Sequence, residues 1–420
     1  MKRLRALIIA VAVAALCTTV TGTHTGSARS VGADQVTLNF ASWRTVPSQW
    51  PDPTIRAFEK ANPTITVKFQ ALPGDPNAVT QAELVKFLAG AGLDIAAVRP
   101  ESVNAFIKAG YLVDLTHNSL VTQHQYIPNA LSGATAHGRV YAIPGSVDAI
   151  GVWYNKDLFA KLHLAVPTTW TQFLAVMAKI KASGTSPLVN GYRDSWPTEF
   201  DAYPFIQALL VKNPHIFADI SAGKVKYADP LWVQTFTDIR TFFKTGYVHP
   251  ASMSLDGTQA SAVFIQQKAA MSIQGEWMAN SIGQARFHVG VFPLPLPGLG
   301  TRRVVPVTVG DYLAVAASSK HQVEAFKFLT YWLTQTSQAT MVQTVGGFSP
   351  LRGGPTAKSP LMSLWPPLLA MENNNFFYSL QNPSANTVLL KDLQSLYLGQ
   401  LSPQQVAADL QRAQNRTAKT

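Results

Sequence analysis

Short apolar runs alternate with amphipathic stretches along the first part of the chain. The runs Val36–Trp43, Ile65–Phe69 and Asp94–Val98 are short and rich in apolar residues, which is typical of buried strands in a parallel sheet. Two helix-start patterns lie between these runs, because Asp52 is followed by proline and Thr80 stands three residues before a glutamate. This order of strands and helices predicts a doubly wound α/β lobe.

The middle of the chain contains two apolar strands separated by a proline-glycine pair. Gly138–Ile143 and Ala149–Tyr154 are the predicted strands, and Pro144 begins the interval between them. Proline followed by glycine interrupts regular structure. We therefore predict a break here, at a point where the chain could pass from one lobe to another.

Two capping boxes predict helix starts later in the chain. Thr169 and Gln172 have the required spacing, and so do Ser402 and Gln405. A helix is also predicted near Leu231–Phe243, and apolar residues at helical spacing predict another over Gln322–Thr334. The second half therefore alternates between helices and strands as the first does.

Three segments predict the passages between two lobes. They lie near Pro144–Ile150, Phe292–Gly298 and Gly346–Pro350. The second is rich in proline, which favours an extended segment over a helix. Val304–Ser318 is predicted to form two strands with a break at Gly310. Several passages side by side allow lobes to bend towards each other more easily than to slide, which suits closure on a ligand.

The composition indicates a globular protein, and its N-terminus indicates export. The chain has 420 residues, which is long enough for two domains of ordinary size. Hydrophobic residues make up 47% of it and charged residues 14%, as in a globular protein. A basic segment, Met1–Arg5, precedes an apolar run, Ala6–Cys17, that falls short of the ~20 residues needed to span a bilayer. We interpret residues 1–33 as a signal peptide.

The single cysteine and the net charge each leave one question open. Cys17 could be the lipid-bearing residue of a lipoprotein, but Leu16 stands where such signals carry a small residue, and Cys17 also fits the apolar run. The net charge is +11, with the basic residues scattered singly. Because nucleic-acid binding favours clustered basic residues with interleaved aromatics, we expect no nucleic-acid partner.

Several motifs together resemble a known family. The segments are Tyr141–Pro144, Tyr154–Phe159 and Pro167–Trp170, followed by 268–277 and Val345–Pro350. In this order and spacing they resemble the bacterial extracellular solute-binding proteins that serve ABC importers, of the maltose-binding-like, carbohydrate-specific kind. The resemblance covers most of the chain after the signal peptide.

The resemblance implies a periplasmic-binding-protein-like α/β fold. It would comprise two doubly wound lobes joined by three hinge crossings, with a ligand cleft between them. The N-terminal lobe would be residues 34–147 with 296–346, and the C-terminal lobe would be residues 148–295 with 347–420. The protein would be a monomer exported beyond the cytoplasm, capturing a carbohydrate for the permease subunits of an ABC transporter.

A sugar site needs flat aromatic faces for the C–H surfaces and short polar groups for the hydroxyls. Candidates lie at strand ends and at the predicted crossings, where open α/β sheets bind ligands. Trp277 also matches a position at which the family places a stacking tryptophan. The candidate residues are Trp277, Glu276, Trp43, Asp148, Asp311, Tyr312, Trp196, Glu199, Phe348 and Arg352. Trp153 and Tyr154 alternate on one strand, so only one of them can face the cleft.

Two other classes of function stay open at this stage. A secreted carbohydrate hydrolase or lyase needs only two carboxylates, whereas other nucleophile, metal and nucleotide motifs are absent from the sequence. A binding protein for glycerol phosphate diesters, peptides or iron is the second alternative. A phosphate ligand would require cations in the cleft, and Arg44, Arg99 and Arg352 are the candidates. We expect no catalytic residue, no metal and no cofactor.

Overall fold

Helices and strands alternate through the part of the chain that the computed structural model describes. It describes residues 35–43, 51–72, 82–87, 92–344, 346–374 and 382–417. The predicted signal peptide, Thr80 and Arg44 lie outside these ranges. Within them, no helix has both the length and the apolar character that a membrane crossing requires.

Eleven strands, labelled in chain order, carry the sheet structure. They are β1 (Val36–Ser42), β2 (Ile65–Ala71), β3 (Ile95–Val98), β4 (Thr135–Ala136), β5 (Arg139–Val140), β6 (Ile143–Asn155), β7 (Ser186–Leu188), β8 (Ala269–Gly275), β9 (Val289–Phe292), β10 (Val304–Val315) and β11 (Glu372–Asn374). The first three strands confirm the predicted pattern of apolar runs. β3 is buried along its whole length, as expected for a strand covered on both faces, whereas β2, at the end of the strand order, alternates between buried and exposed side chains over its first four residues.

The longer helices, of nine residues or more, lie between the strands in the chain and after the last of them. They are Asp52–Ala61, Trp170–Ala182, Glu199–Lys212, Pro230–Lys244, Gly257–Ile265, Gln322–Trp332, Gln335–Thr344, Pro383–Tyr397 and Pro403–Thr417. Shorter helices are 82–87, Val103–Lys108, Ser119–Thr122, Lys156–Lys161, Ile216–Ser221, Ala279–Ile282 and Pro366–Leu369.

One sheet runs through both halves of the chain. Its strand order is β2-β1-β3-β10-β6-β8-β7, with β9 paired to β6 and β11 paired to β10. β1 is parallel to both β2 and β3, whereas β10 is antiparallel to β3 and to β6. The long strands β6 and β10 therefore connect a sheet built by the N-terminal strands to one built by β7 and β8.

The predicted strand breaks at Pro144 and Gly310 are wrong. β6 and β10 both run unbroken and pair with each other, with Pro144 opposite Tyr312. The register shifts on both sides of Asp311, which is a bulge in the ladder. A bulge tolerates proline because the ladder hydrogen bonds are already interrupted there. Pro144 and Gly310 thus lie at one bulge in a continuous pair of strands.

Two large hydrophobic cores and one smaller core stabilise the fold. The first core is formed by buried side chains between residues 38 and 143 and between 309 and 351. The second is formed by side chains between 150 and 304 and between 385 and 413. The third lies around Trp153 and Trp365, whose rings meet edge to face at 5.4 Å. Tyr154 packs in the second core, so both Trp153 and Tyr154 are core residues.

The chain passes between the first two cores within long strands. β6 contributes Ile143 to the first core and Ile150 to the second, which confirms the first predicted passage. β10 contributes Val304 to the second core and Val309 to the first. The second passage therefore lies in β10. Phe292–Gly298, predicted as that passage, instead contributes its apolar side chains to the second core.

The third passage runs beside β6. Phe348 and Val147 exchange backbone hydrogen bonds of 2.8 and 2.9 Å. The chain then returns to the first core at Leu351 before it contributes Met362 to the third core. Three passages lie side by side, as predicted, although the bounds proposed for the two lobes stay a prediction.

Local sequence signals set both predicted helix starts. The Thr169 hydroxyl accepts a hydrogen bond from the Gln172 amide at 3.2 Å, and the Gln172 side chain accepts one from the Thr168 amide at 2.8 Å. Ser402 and Gln405 form both bonds of a capping box, at 3.2 and 2.8 Å. The capping box at Ser402 is confirmed. At Thr169 the Gln172 side chain accepts from the Thr168 amide instead of the Thr169 amide, so that box is shifted by one residue.

Candidate functional site

Two carboxyl groups meet beside the passages between the cores. Asp148 lies in β6, and Glu276 follows the last residue of the neighbouring strand β8. Glu276 is fully buried and accepts a hydrogen bond of 2.8 Å from the Ala149 backbone amide. Asp148 is half-buried. The antiparallel pairing of β6 and β8 therefore brings together two residues that are far apart in the sequence.

The surroundings of Glu276 favour its protonated form. Burial raises the pKa of Glu276 well above its usual value, and the negative charge of Asp148 raises it further. A side-chain hydrogen bond joins Glu276 to Asp148. Since two adjacent carboxylates repel each other, a protonated Glu276 that donates to Asp148 is the stable arrangement.

The absence of a side chain at Gly310 leaves space for the Ser146 and Asp148 side chains. A Cβ atom added to Gly310 would collide with the Ser146 hydroxyl and the Asp148 carboxylate. Ser146 also donates a hydrogen bond of 3.0 Å to Asp311, which is fully buried at the bulge. Bulges commonly redirect side chains next to functional sites. Here the bulge leaves Asp311 buried beside Ser146, which lies two residues before Asp148 in β6.

An aromatic group lies next to the paired carboxyls. Trp277 follows Glu276 in a single 3₁₀ turn, and its indole folds over Gly275, where a Cβ atom would collide with the ring. Its ring centroid lies 6.2 Å from Phe200 and 6.4 Å from Trp196. Trp196 is 37% exposed and Trp277 is half-buried. Trp277 and Trp196 form an apolar surface that is partly open to solvent, as stacking on a sugar requires, and the buried Phe200 ring packs against both of them.

A second group of acids surrounds one guanidinium. Arg99 forms an ion pair of 2.5 Å with Glu101 and lies 4.9 Å from the centre of the Trp43 ring. Glu83 and Glu199 are both close enough to feel the charges of Arg99 and Glu101. We call Glu83, Glu101 and Glu199 the carboxylate cluster. All three are at most 6% exposed.

Burial dominates the electrostatics of this cluster. It raises the pKa of Glu83 and of Glu199 well above the usual value, while Arg99 opposes the rise and the Glu101 charge adds to it. Burial therefore favours the protonated, neutral forms of Glu83 and Glu199, while Glu101 is paired with Arg99.

The remaining predicted residues are Tyr312, Phe348 and Arg352. Of these, Phe348 lies next to the paired carboxyl groups, because it follows Gly347, where an added Cβ atom would stand 3.3 Å from the Asp148 carboxylate. Tyr312 is buried in the first core and donates a hydrogen bond of 3.0 Å to the Ala130 carbonyl. Phe348 packs against the third core, 6.2 Å from the Trp365 ring. Arg352 is exposed, and its side chain donates to the Tyr126 carbonyl at 3.1 Å.

Sequence reasoning missed Ser146, Glu83 and Glu101 as members of the site. Ser146 was hidden by the predicted break. Glu83 was assigned to a capping box, but its carboxylate accepts no hydrogen bond within the described structure. The one signal in the sequence was that Glu83 occupies a position in the apolar stripe of its helix, where a carboxyl group is unusual.

Asp201, a buried acid that follows Phe200 in the sequence, predicts that the stability of the protein depends on pH. Asp201 is fully buried, accepts a hydrogen bond of 3.0 Å from Asn190, and has its pKa raised by burial to about 8. Between its unfolded pKa near 4 and its folded pKa, the native state holds the extra proton. The free energy of unfolding should therefore fall as pH rises, by up to about 1.4 kcal/mol per pH unit from this group.

Asp201→Asn should remove that contribution, since the amide mimics the protonated acid. The variant should match the wild type near pH 4 in urea unfolding and exceed it increasingly up to pH 8. The exposed Asp238→Asn is the control and should leave the profile unchanged. Parallel profiles for Asp201→Asn and the wild type would contradict this account.

Comparisons with known proteins agree with this architecture. Residues 41–339 match the family model described as bacterial extracellular solute-binding protein. The multiple sugar-binding protein of Streptococcus mutans is 26% identical over 349 residues, which is 79% of each chain.

Solved structures give the same result for the fold. A chitin oligosaccharide binding protein superposes with a TM-score of 0.82 at 21% identity, covering 92% of this chain and all of the other. The raffinose complex of the solute-binding protein RafE superposes with a TM-score of 0.75 at 22% identity, covering 91% of this chain and all of the other. These likenesses confirm the predicted fold class of two α/β lobes joined by three crossings.

Proposed function

Because this chain belongs to the family of bacterial extracellular solute-binding proteins, we propose that it binds a sugar or oligosaccharide between its two lobes for import by an ABC transporter. The observation that carries the proposal is the half-open aromatic surface of Trp277, Trp196 and Phe200 beside paired carboxyl groups. Aromatic faces bind the C–H surface of a pyranose, and carboxyl oxygens accept from its hydroxyls. The sugar-binding names of its relatives support the same ligand class.

The position of this surface also suits a hinged protein. Glu276 and Trp277 follow β8, which pairs with β6, and β6 is one of the passages between the cores. A ligand on these residues would bias the angle between the lobes. We propose that the closed form, exported to the outer face of the cytoplasmic membrane, is presented to the permease subunits. A monomer suffices for this role.

Hydrolysis is the less favoured reading. Glycosidases hold their two carboxyl groups about 5 Å or more apart, so that a sugar or a water can enter between them. Asp148 and Glu276 are joined by a hydrogen bond instead. This arrangement suits binding, and we propose that the protein releases its ligand unchanged.

A phosphate ligand is also less favoured. Arg99 is already paired with Glu101, and Arg352 donates to the Tyr126 carbonyl. Arg99 would have to leave its carboxylate partner to bind a phosphodiester, whereas a neutral sugar requires no such exchange.

A thermal-shift screen tests the proposed function. Oligosaccharides, glycerol phosphodiesters and short peptides would each be added at increasing concentration. Because a ligand that binds only the native state stabilises it by about 2.7 kcal/mol at 100 times its Kd, the correct class should raise the unfolding midpoint measurably. Stabilisation by oligosaccharides alone is the expected result. Stabilisation by a phosphodiester or peptide instead, or release of shortened sugars during incubation, would refute the proposal.

A further inference from the structure

Asp148 is the one residue of β6 that is not buried. Every other residue of this strand is buried, and so is the whole of the neighbouring strand β8. Because a charged side chain needs water or partners, its partial exposure in an otherwise buried strand marks an opening to solvent. The passages between the cores are therefore accessible at Asp148, where a ligand can meet its carboxylate.

The two oxygen atoms of this carboxylate face the other two passages. A Cβ atom added at Gly310 of β10 would stand 2.5 Å from Oδ2 of Asp148, and one added at Gly347 of the third passage would stand 3.3 Å from Oδ1. Non-bonded heavy atoms are best separated by about 3.5–4.0 Å, so the first contact is a collision and the second is tight. We call this position of the carboxylate, between Gly310 and Gly347, the Asp148 seat.

Space rather than backbone conformation explains both glycines. Neither Gly310 nor Gly347 has a φ angle in the left-handed region, in contrast to the adjacent Gly346 at +87°. A residue with a side chain could therefore adopt the same backbone at both positions. It could not leave the Asp148 carboxylate where it lies.

The same pair of strands contains a second acid packed over a glycine. A Cβ atom added at Gly145 of β6 would stand 2.9 Å from Oδ1 of Asp311 in β10. Asp311 is fully buried and accepts a hydrogen bond of 3.0 Å from Ser146. The two arrangements are alike in geometry, but only the carboxylate of Asp148 is partly exposed. The Gly145–Asp311 contact is therefore a matched control within the same bulge.

The third passage also contacts the turn that carries Trp277. A Cβ atom added at Gly346 would stand 3.4 Å from Cα of Trp277 and 3.7 Å from the Glu276 carbonyl oxygen. Gly346 and Gly347 thus place backbone without side chains next to both that turn and the Asp148 carboxylate. The Asp148 seat therefore lies beside the turn whose indole would stack on a sugar.

We propose that Gly310 and Gly347 are positioning residues for ligand binding, because they keep the Asp148 carboxylate where a sugar hydroxyl can donate to it. This inference rests on the proposed function, since it supplies a hydrogen-bond acceptor for a sugar held on Trp277. The seat is built from all three passages. A hydroxyl bound there therefore contacts, through one side chain, the segments that bend when the lobes close.

Titration calorimetry of alanine variants tests the proposal. The probe is the oligosaccharide that stabilises the wild type most in the thermal-shift screen, with raffinose, maltotriose and the N-acetylglucosamine trisaccharide included in that screen. Gly310→Ala should weaken binding about tenfold or more, the effect of losing one hydrogen bond to a charged acceptor. Gly347→Ala, whose Cβ atom makes the looser contact, should weaken binding by a smaller but measurable factor.

A double variant separates positioning from general damage to the strands. Asp148→Ala should weaken binding at least as much as Gly310→Ala does. If the glycine acts through the carboxylate, adding Gly310→Ala to Asp148→Ala should cause no further loss of affinity. Independent effects would multiply instead.

Gly145→Ala is the matched control. Its Cβ atom would displace Asp311 at the same bulge, so the free energy of unfolding should fall, as it should for Gly310→Ala. The affinity for the oligosaccharide should stay close to that of the wild type. Circular dichroism would verify that each variant folds, and Gly347→Ala carries the test if Gly310→Ala does not.

The outcomes separate this inference from the function beneath it. Wild-type affinity in both Gly310→Ala and Gly347→Ala, or an equal loss in Gly145→Ala, would overturn the positioning role while leaving a sugar-binding protein. A further loss on adding Gly310→Ala to Asp148→Ala would overturn it in the same way. If no oligosaccharide in the screen bound the wild type, the proposed function would be refuted, and this inference with it.

Discussion

Trp277→Ala is expected to abolish measurable sugar binding while leaving the protein folded. The indole is partly exposed, follows Glu276 and covers Gly275, and it packs against the second core only as a partly buried residue. Central aromatic residues of binding sites commonly cost 2 kcal/mol or more when truncated, which is a loss of about 30-fold or greater. Titration calorimetry with the sugar that stabilises the wild type would measure the loss.

Trp170→Ala is the matched control for this prediction. Trp170 is also partly buried, but its ring packs between Phe173, Phe205 and Phe242 in the second core. Its removal should lower the free energy of unfolding and leave the affinity close to that of the wild type. If Trp277→Ala kept the wild-type affinity, the aromatic surface would not be the ligand site.

Glu276→Ala should destabilise the protein strongly, whereas Glu276→Gln should not. Removing the side chain leaves the buried Ala149 amide without its acceptor and opens a cavity. Together these should cost about 3 kcal/mol. Glutamine can still accept from Ala149, and its amide nitrogen can donate to Asp148 in place of the proton. Its cost should stay below about 1 kcal/mol.

Urea unfolding of both variants at neutral pH would measure this difference. The comparison tests the protonation of the pair directly, because glutamine imitates only the neutral acid. Equal and large losses for Glu276→Ala and Glu276→Gln would mean that Glu276 is ionised in the native state. The arrangement proposed for the Asp148–Glu276 pair would then be wrong.

The sequence predicted the features that depend on neighbours in the chain. The Ser402 capping box forms as expected because its donors and acceptors lie within one helical turn. The strands β1 to β3 were predicted from their apolar runs alone. Trp277 and Glu276 were predicted through the resemblance and the turn after β8, and they lie together at the candidate site.

Features that depend on pairing across the sheet could not be predicted. Pro144 signals the end of a strand locally, but the bulge at Asp311 in the partner strand lets β6 continue. Glu83 and Glu199 are both close enough to feel the charge of Arg99, and only the folded chain brings these residues, distant in sequence, near it. Tyr312 was predicted at the cleft from its place after a glycine, yet its hydroxyl is buried against the Ala130 carbonyl.

A crystal structure of the protein with the oligosaccharide that stabilises it most would test the central claim most directly. The claim is that a sugar lies between the two α/β lobes against an indole ring. The predicted result is a pyranose ring in van der Waals contact with Trp277, about 4 Å away, with its hydroxyls donating to Asp148. A sugar bound away from Trp277, with the Trp277, Trp196 and Phe200 surface still open to solvent, would contradict it.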